Sequence, residues 1–214
     1  METRIRTAEW RRVFKRDGAE LLTVTQRYPQ WEGTGRGARR FDRYYAALAQ
    51  RWRRRWEEAL LARARADPQA GGWTAELSYT VSCERDGLLS LVLDAREDEG
   101  GGGRPRLVRQ GDLWRMPQGE AVPLTDLLPR RRRRRGLLAQ VEEQLRAQLA
   151  SGEHIFYEDA PRLAAKTLSA ERAYLTETGA AVFYPLYAIA PYAEGIPVFP
   201  ISLEAPHGPQ NKDS

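Results

Sequence analysis

From Phe41 onward, apolar residues recur at Tyr44, Tyr45, Leu48, Trp52, Trp56, Ala59 and Leu60, the spacing that gathers one face of an amphipathic helix. That helix is expected to end near Ala66, before Asp67-Pro68 and Gly71-Gly72. Leu137, Leu138, Val141, Leu145 and Leu149 repeat the pattern and predict a second helix, stopping at Ser151-Gly152. Around these segments the period changes to two. Ala19–Tyr28 alternates loosely, is rich in Thr and Val, and predicts a first strand ending at Pro29, with a Gly- and Arg-rich loop over 30–40. Trp73–Cys83 and Leu88–Ala95 predict two strands joined across Glu84-Arg85-Asp86-Gly87, where Asp-Gly supplies the positive φ of a tight hairpin. Arg106–Arg109 and Asp112–Met116 predict a more polar hairpin around Gln110-Gly111, and Thr125 caps a short turn at Asp126–Leu128. Glu171–Thr176 and Ala180–Leu186 predict the last hairpin, turning at Glu177-Thr178-Gly179. Val198–Leu203 follows as an edge strand, because Pro197 and Pro200 exclude a central one.

Two helices among hairpins predict an α+β fold: an antiparallel sheet with two main amphipathic helices packed on one face, and the other face left to solvent or a ligand. The 214 residues, 42% of them hydrophobic, suit one domain able to bury a core without metals or disulfides. That domain is expected over 19–203, with subparts 19–128 and 129–203, after an extension at 1–18 and before a polar, disordered tail at 204–214. Cys83 is the single cysteine, and no Cys/His spacing suggests zinc, so neither a disulfide nor a metal or cofactor is expected. The N-terminus is charged throughout, and no stretch approaches the ~20 apolar residues of a membrane span. The chain as given therefore reads as cytoplasmic and without a membrane span, or extracytoplasmic if it is a fragment.

Charge adds an asymmetry. The net +5 divides into +10 before Gly136 and −5 from it onward, which raises an acidic partner such as nucleic acid. Arg130, Arg131, Arg132, Arg133, Arg134 and Arg135 form an unbroken run that can neutralise phosphates. However, 31 of the 34 basic residues are Arg, as GC-rich codon usage also produces, and a basic run before a helix is ordinarily solvated. Arg51–Trp56 mixes arginines with Trp52 and Trp56, whose four-residue spacing favours core packing over base stacking. Gly100–Gly103 lacks the Lys-Ser/Thr of a phosphate loop and reads as a turn. Glu97, Asp98 and Glu99 are adjacent and point to alternate faces. With His154 and His207 the only histidines and no Gly-x-Ser-x-Gly elbow, nucleophilic hydrolysis is disfavoured. A carboxylate-dependent glycan-active enzyme, using residues such as Glu158, Asp159, Glu177 or Glu194, stays open as an alternative, as does the Arg-tract nucleic-acid binder.

The segment Tyr174–Pro200 sets Tyr184, Tyr187 and Tyr192 among Pro185, Pro191, Gly195 and Pro197, an aromatic strand leading into rigid turns. Such tyrosines either pack on the sheet or form an interaction surface. The order of residues in YLTETGAAVFYPLYAIAPYAEGIP resembles the C-terminal domain of RsiV-type anti-sigma factors, a domain of unknown function also found beside polysaccharide deacetylase domains. Weaker support comes from RYPQ at 27–30, GLLSLVLD at 87–94 and GDLWRMPQGEAVPLTDLL at 111–128. The resemblance implies a non-enzymatic α+β domain, which in the receptors lies outside the cell and binds lysozyme. The chain as given carries neither a transmembrane helix nor a sigma-binding segment, so the implied role is binding rather than signalling. Where family members commonly carry a histidine after a small residue, this chain continues Gly102-Gly103-Arg104. The combined expectation is a non-catalytic binding module of bacterial cell-envelope type. Its partner is a protein or cell-wall glycan, met through Tyr184, Tyr187, Pro191, Tyr192, Glu194 and Gly195.

Overall fold

The computed structural model of the protein describes residues 4–127, 133–169 and 171–203. Six strands form the larger sheet: β1 (Ile5–Arg16), β2 (Ala19–Trp31), β3 (Trp73–Arg85), β4 (Leu88–Asp98), β5 (Arg106–Arg115) and β6 (Glu120–Ala121), side by side in that order. All neighbours are antiparallel except β2 and β3, which run parallel because a helical crossover joins them. That crossover is α1 (Arg36–Arg55), a π turn at Trp56–Leu60, and α2 (Leu61–Ala66). It buries Phe41, Tyr45, Leu48, Trp56 and Leu60 against Leu22, Val24, Leu77, Leu91, Leu93 and Trp114 of the sheet. The remainder contains α3 (Arg133–Ser151), α4 (Ala160–Thr167) and a second antiparallel sheet, β7 (Ala173–Thr176), β8 (Gly179–Phe183) and β9 (Val198–Ile201), with β9 at an edge as expected. The fold is α+β.

The architecture differs from one sheet with an open face. The second unit has its own core, built on Val141, Leu145, Ala164, Val182, Tyr184 and Phe199, and this core takes in Cys83 and Leu113 from the larger sheet. The face of β3–β5 that α1 leaves uncovered is therefore covered near β7. Ser90 marks the junction: its buried hydroxyl accepts the Leu175 N–H at 2.9 Å and meets the Ser82 hydroxyl at 3.0 Å.

Several local expectations change for identifiable reasons. Residues 5–16, expected to precede the domain, are β1, joined to β2 through Asp17 and Gly18, both at positive φ. Strand β2 continues through Pro29, because β3 covers only Leu22–Gln26 and the missing N–H falls where β2 has a single partner. Helix α1 begins at Arg36, five residues before the apolar stripe. The expected hairpin at Gln110-Gly111 is one continuous strand. The short helix α4 was not anticipated, although Asp159-Ala160-Pro161 carries a helix-start pattern. Leu128, Arg130–Arg132 and the tail at 204–214 lie outside the described residues.

Candidate functional site

The aromatic segment after β8 turns on a buried base. Tyr184 is fully buried, its ring edge-on to Phe199 at 5.7 Å, and its phenol pKa is pushed up to about 12, chiefly by burial. It does not belong to an exposed face, which corrects the expectation for this residue. β8 is buried along its whole length, and Tyr184 continues it inward. From there Tyr184 N–H reaches Pro197 O at 2.9 Å, and Ile189 and Ala190 are buried, so the loop is anchored at both its base and its middle.

Between these anchors Tyr187 is 53% exposed at a φ of 63°. A bulky side chain in the left-handed region is a strained choice, sustained only where the surroundings enforce it. Its ring stands 6.0 Å from that of Tyr192, and the Arg104 guanidinium lies 5.6 Å over Tyr192 on the other strand connection. Pro191 opens the short turn Tyr192–Glu194, and Gly195 closes it at a φ of 73°. Ile155, 57% exposed, is tied to this turn through its backbone N–H.

The loop is held from outside by Glu194. One carboxylate oxygen accepts the Ile155 N–H at 2.9 Å, and the other pairs with His154 Nδ1 at 2.5 Å. Desolvation pushes this carboxyl upward, but the bonds from Ile155 and His154, with the imidazole's charge, outweigh it and leave the group below its ordinary 4.5. A lowered folded-state pKa gives stability that is present above the unfolded value and lost as pH falls through the folded one. We expect amide-exchange protection at Ile155 to fall as the pH drops below about 4.5, while Glu194→Gln shows low protection at every pH. Protection unchanged by either would remove this pin.

The second feature is a cleft of about 990 Å³ where the edge of β5 meets β7, the start of α3 and residues 121–125. On its α1 side, Asp112 accepts from Tyr45 OH at 3.0 Å and Gln110 Nε2 at 2.8 Å, while Trp114 Nε1 donates to Tyr45 at 2.8 Å. Burial pushes Asp112 up, against the hydrogen bonds from Gln110, Tyr45 and Tyr44, and pushes the Tyr44 phenol to about 12. On the β7 side, Arg109 forms a bidentate pair with Asp94, both bonds 2.8 Å. The cleft was not foreseen. It depends on β6 ending after two residues, before Pro123, and on β7 and the start of α3, distant in the chain, closing around that edge.

The other candidates do not converge. Glu97 is buried, bound by Arg55 at 2.9 Å and Trp56 Nε1 at 3.1 Å, whereas Asp98 pairs with Arg96 and Glu99 with Arg63. Asp159 pairs with Arg162, and Glu158 and Glu177 are exposed. Cys83 is buried, which pushes its thiol up. Of the arginine run, Arg134 donates to Ala165 O at 2.8 Å and Arg135 is exposed. Among the described residues no group of three or more His, Cys, Asp or Glu is placed to hold a metal, and no helix is long and apolar enough to cross a membrane.

Residues 125–204 match a protein family described as Protein of unknown function (DUF3298). Two solved structures share the fold. A DUF3298 family protein from Pseudomonas aeruginosa has a TM-score of 0.58 and 19% identity, covering 92% of this chain and 88% of its own. A member of the same family from Bacteroides fragilis has a TM-score of 0.58 and 15% identity, covering 92% of this chain and 89% of its own. No curated protein matches significantly.

Proposed function

We propose that the protein is a non-catalytic binding module whose Tyr187–Gly195 loop meets a protein or cell-wall glycan. The observation that carries this reading is Tyr187: an aromatic ring held out at positive φ, beside Tyr192, on a loop anchored by Ile189 and pinned by Glu194. Backbone strain of this kind clusters at ligand clamps and active sites, which supports a contact for this ring. Rigid tyrosines give large contact area at small entropic cost, which is why they anchor interfaces. The resemblance of Tyr174–Pro197 to the RsiV-type receptor domain makes lysozyme the first protein to try.

The test is titration of lysozyme and of peptidoglycan fragments against the protein and its Tyr187→Ala and Tyr192→Ala variants. Binding is expected, with each substitution costing about 2 kcal/mol, roughly thirtyfold in affinity, at unchanged melting temperature. If neither ligand binds the folded protein, this form of the reading fails.

A further inference from the structure

Strand β5 has a half-paired outer edge. Gly119 N–H donates to Arg115 O at 2.9 Å and Val122 N–H to Leu113 O at 2.7 Å, so Arg115 and Leu113 turn their backbone groups toward β6. Met116 N–H instead donates to Gly87 O at 2.7 Å, on the β4 side. The alternation of an antiparallel ladder then turns Gly111 and Arg109 outward with Leu113 and Arg115. β6 pairs only with Trp114 and Arg115, and the chain leaves the edge at Pro123, which has no N–H to give. Among the described residues, no strand lies beside the outward N–H and C=O groups of Arg109 and Gly111, which border the 990 Å³ cleft. An open edge of this kind is a template for another strand, and natural sheets cover or blunt such edges unless they are used.

The walls on either side differ in chemistry. On the β7 side, Arg172 and Arg134 each donate to a backbone carbonyl of α4, Thr167 O at 3.1 Å and Ala165 O at 2.8 Å, rather than to a carboxylate. A guanidinium has five donors, so each keeps others for a ligand. On the α1 side stand Asp112, Gln110 and Tyr44, rich in acceptors. Glu171, at the cleft, is exposed to water.

We propose that the cleft takes an extended peptide segment of a partner protein, added as a strand beside β5. Its main chain bonds to Arg109 and Gly111. Because successive side chains of a strand point to opposite faces, the fitting sequence alternates. Carboxylates turn toward Arg172 and Arg134, and hydrogen-bond donors such as threonine hydroxyls turn toward Gln110, Asp112 and Tyr44. This site is separate from the Tyr187 loop and does not depend on it.

The probe is a fluorescein-labelled nine-residue peptide alternating threonine and aspartate, followed by polarisation, with two versions N-methylated on one or the other alternate set of residues. All three have the same charge. Saturable binding is expected, abolished by methylation of the set whose N–H groups face β5 and retained on methylation of the other set. Arg134→Ala and Arg172→Ala are each expected to weaken binding about tenfold through loss of a charge-assisted bond. Arg134 is exposed, so its removal leaves the fold intact even if the Arg172 change does not. Tyr187→Ala is expected to have no effect here, while it impairs the loop's ligand. Equal binding of all three peptides would reduce the site to charge attraction and overturn the strand. No binding to the folded protein would overturn the proposal outright. Binding that appears only after Arg130–Arg132 are replaced by glycine and serine would give the edge to the chain's own connecting segment and overturn a partner peptide.

Discussion

Gly111→Ala is expected to destabilise the protein by about 3 kcal/mol or more, at the upper end of overpacking costs, read as a fall in the urea midpoint. A Cβ at this position would lie 2.1 Å from Ala173 O and 2.9 Å from Ala173 C. Both obstructing atoms are backbone, so relief requires β7 to move away from β5 rather than a side chain to rotate. That movement would disturb the seam between the two sheets, including the Leu175 N–H bond to Ser90. Gly103→Ala is the control. Its nearest neighbour would be Gly100 O at 3.4 Å, within ordinary tolerance, and its effect should stay within about 0.5 kcal/mol. Equal midpoints for the two variants would show that β7 does not press on β5.

Gly111 also shows what the sequence conceals. Gln110-Gly111 between polar strand-like segments reads as a turn, because Gly most often serves conformational freedom. Here it is absent-side-chain space that matters, created by a strand more than sixty residues away in the chain, so no local window contains the reason. The Asp86-Gly87 hairpin was legible since both flanks carry apolar alternation. Asp17-Gly18 is the same signal, but the strand before it hides its alternation behind Arg11-Arg12 and Lys15-Arg16, charges that suit an edge strand. The loop at 187–195 was visible from its prolines and tyrosines. Its supports, His154, Ile155 and Arg104, were not, because those contacts exist only after folding. Tyr184 was assigned to the surface by its neighbours' chemistry, whereas the unbroken burial of β8 carries it into the core.

Trp56→Ala is expected to cost about 3–5 kcal/mol, the range for deleting a large buried aromatic, with no specific loss of any nucleic-acid affinity. The tryptophan is fully buried in the core between helix and sheet, at the first residue of the π turn. Its ring lies 5.4 Å from Trp52, and its Nε1 donates to the buried Glu97 carboxylate at 3.1 Å. The basic residues around it are committed to the fold as well: Arg55 pairs with Glu97 at 2.9 Å, and Arg53 stacks 3.8 Å over Trp10. Trp56→Phe separates the contributions. It keeps most of the ring volume and removes the N–H, but Glu97 retains Arg55, so the carboxylate is not stranded, and the loss should be clearly smaller, about 1–2 kcal/mol. Thermal or urea unfolding of the two variants reads the difference directly. A loss for Ala no greater than for Phe would mean that the core closes over the void. A salt-sensitive loss of nucleic-acid binding in the folded Phe variant would instead restore Arg51–Trp56 as a contact surface.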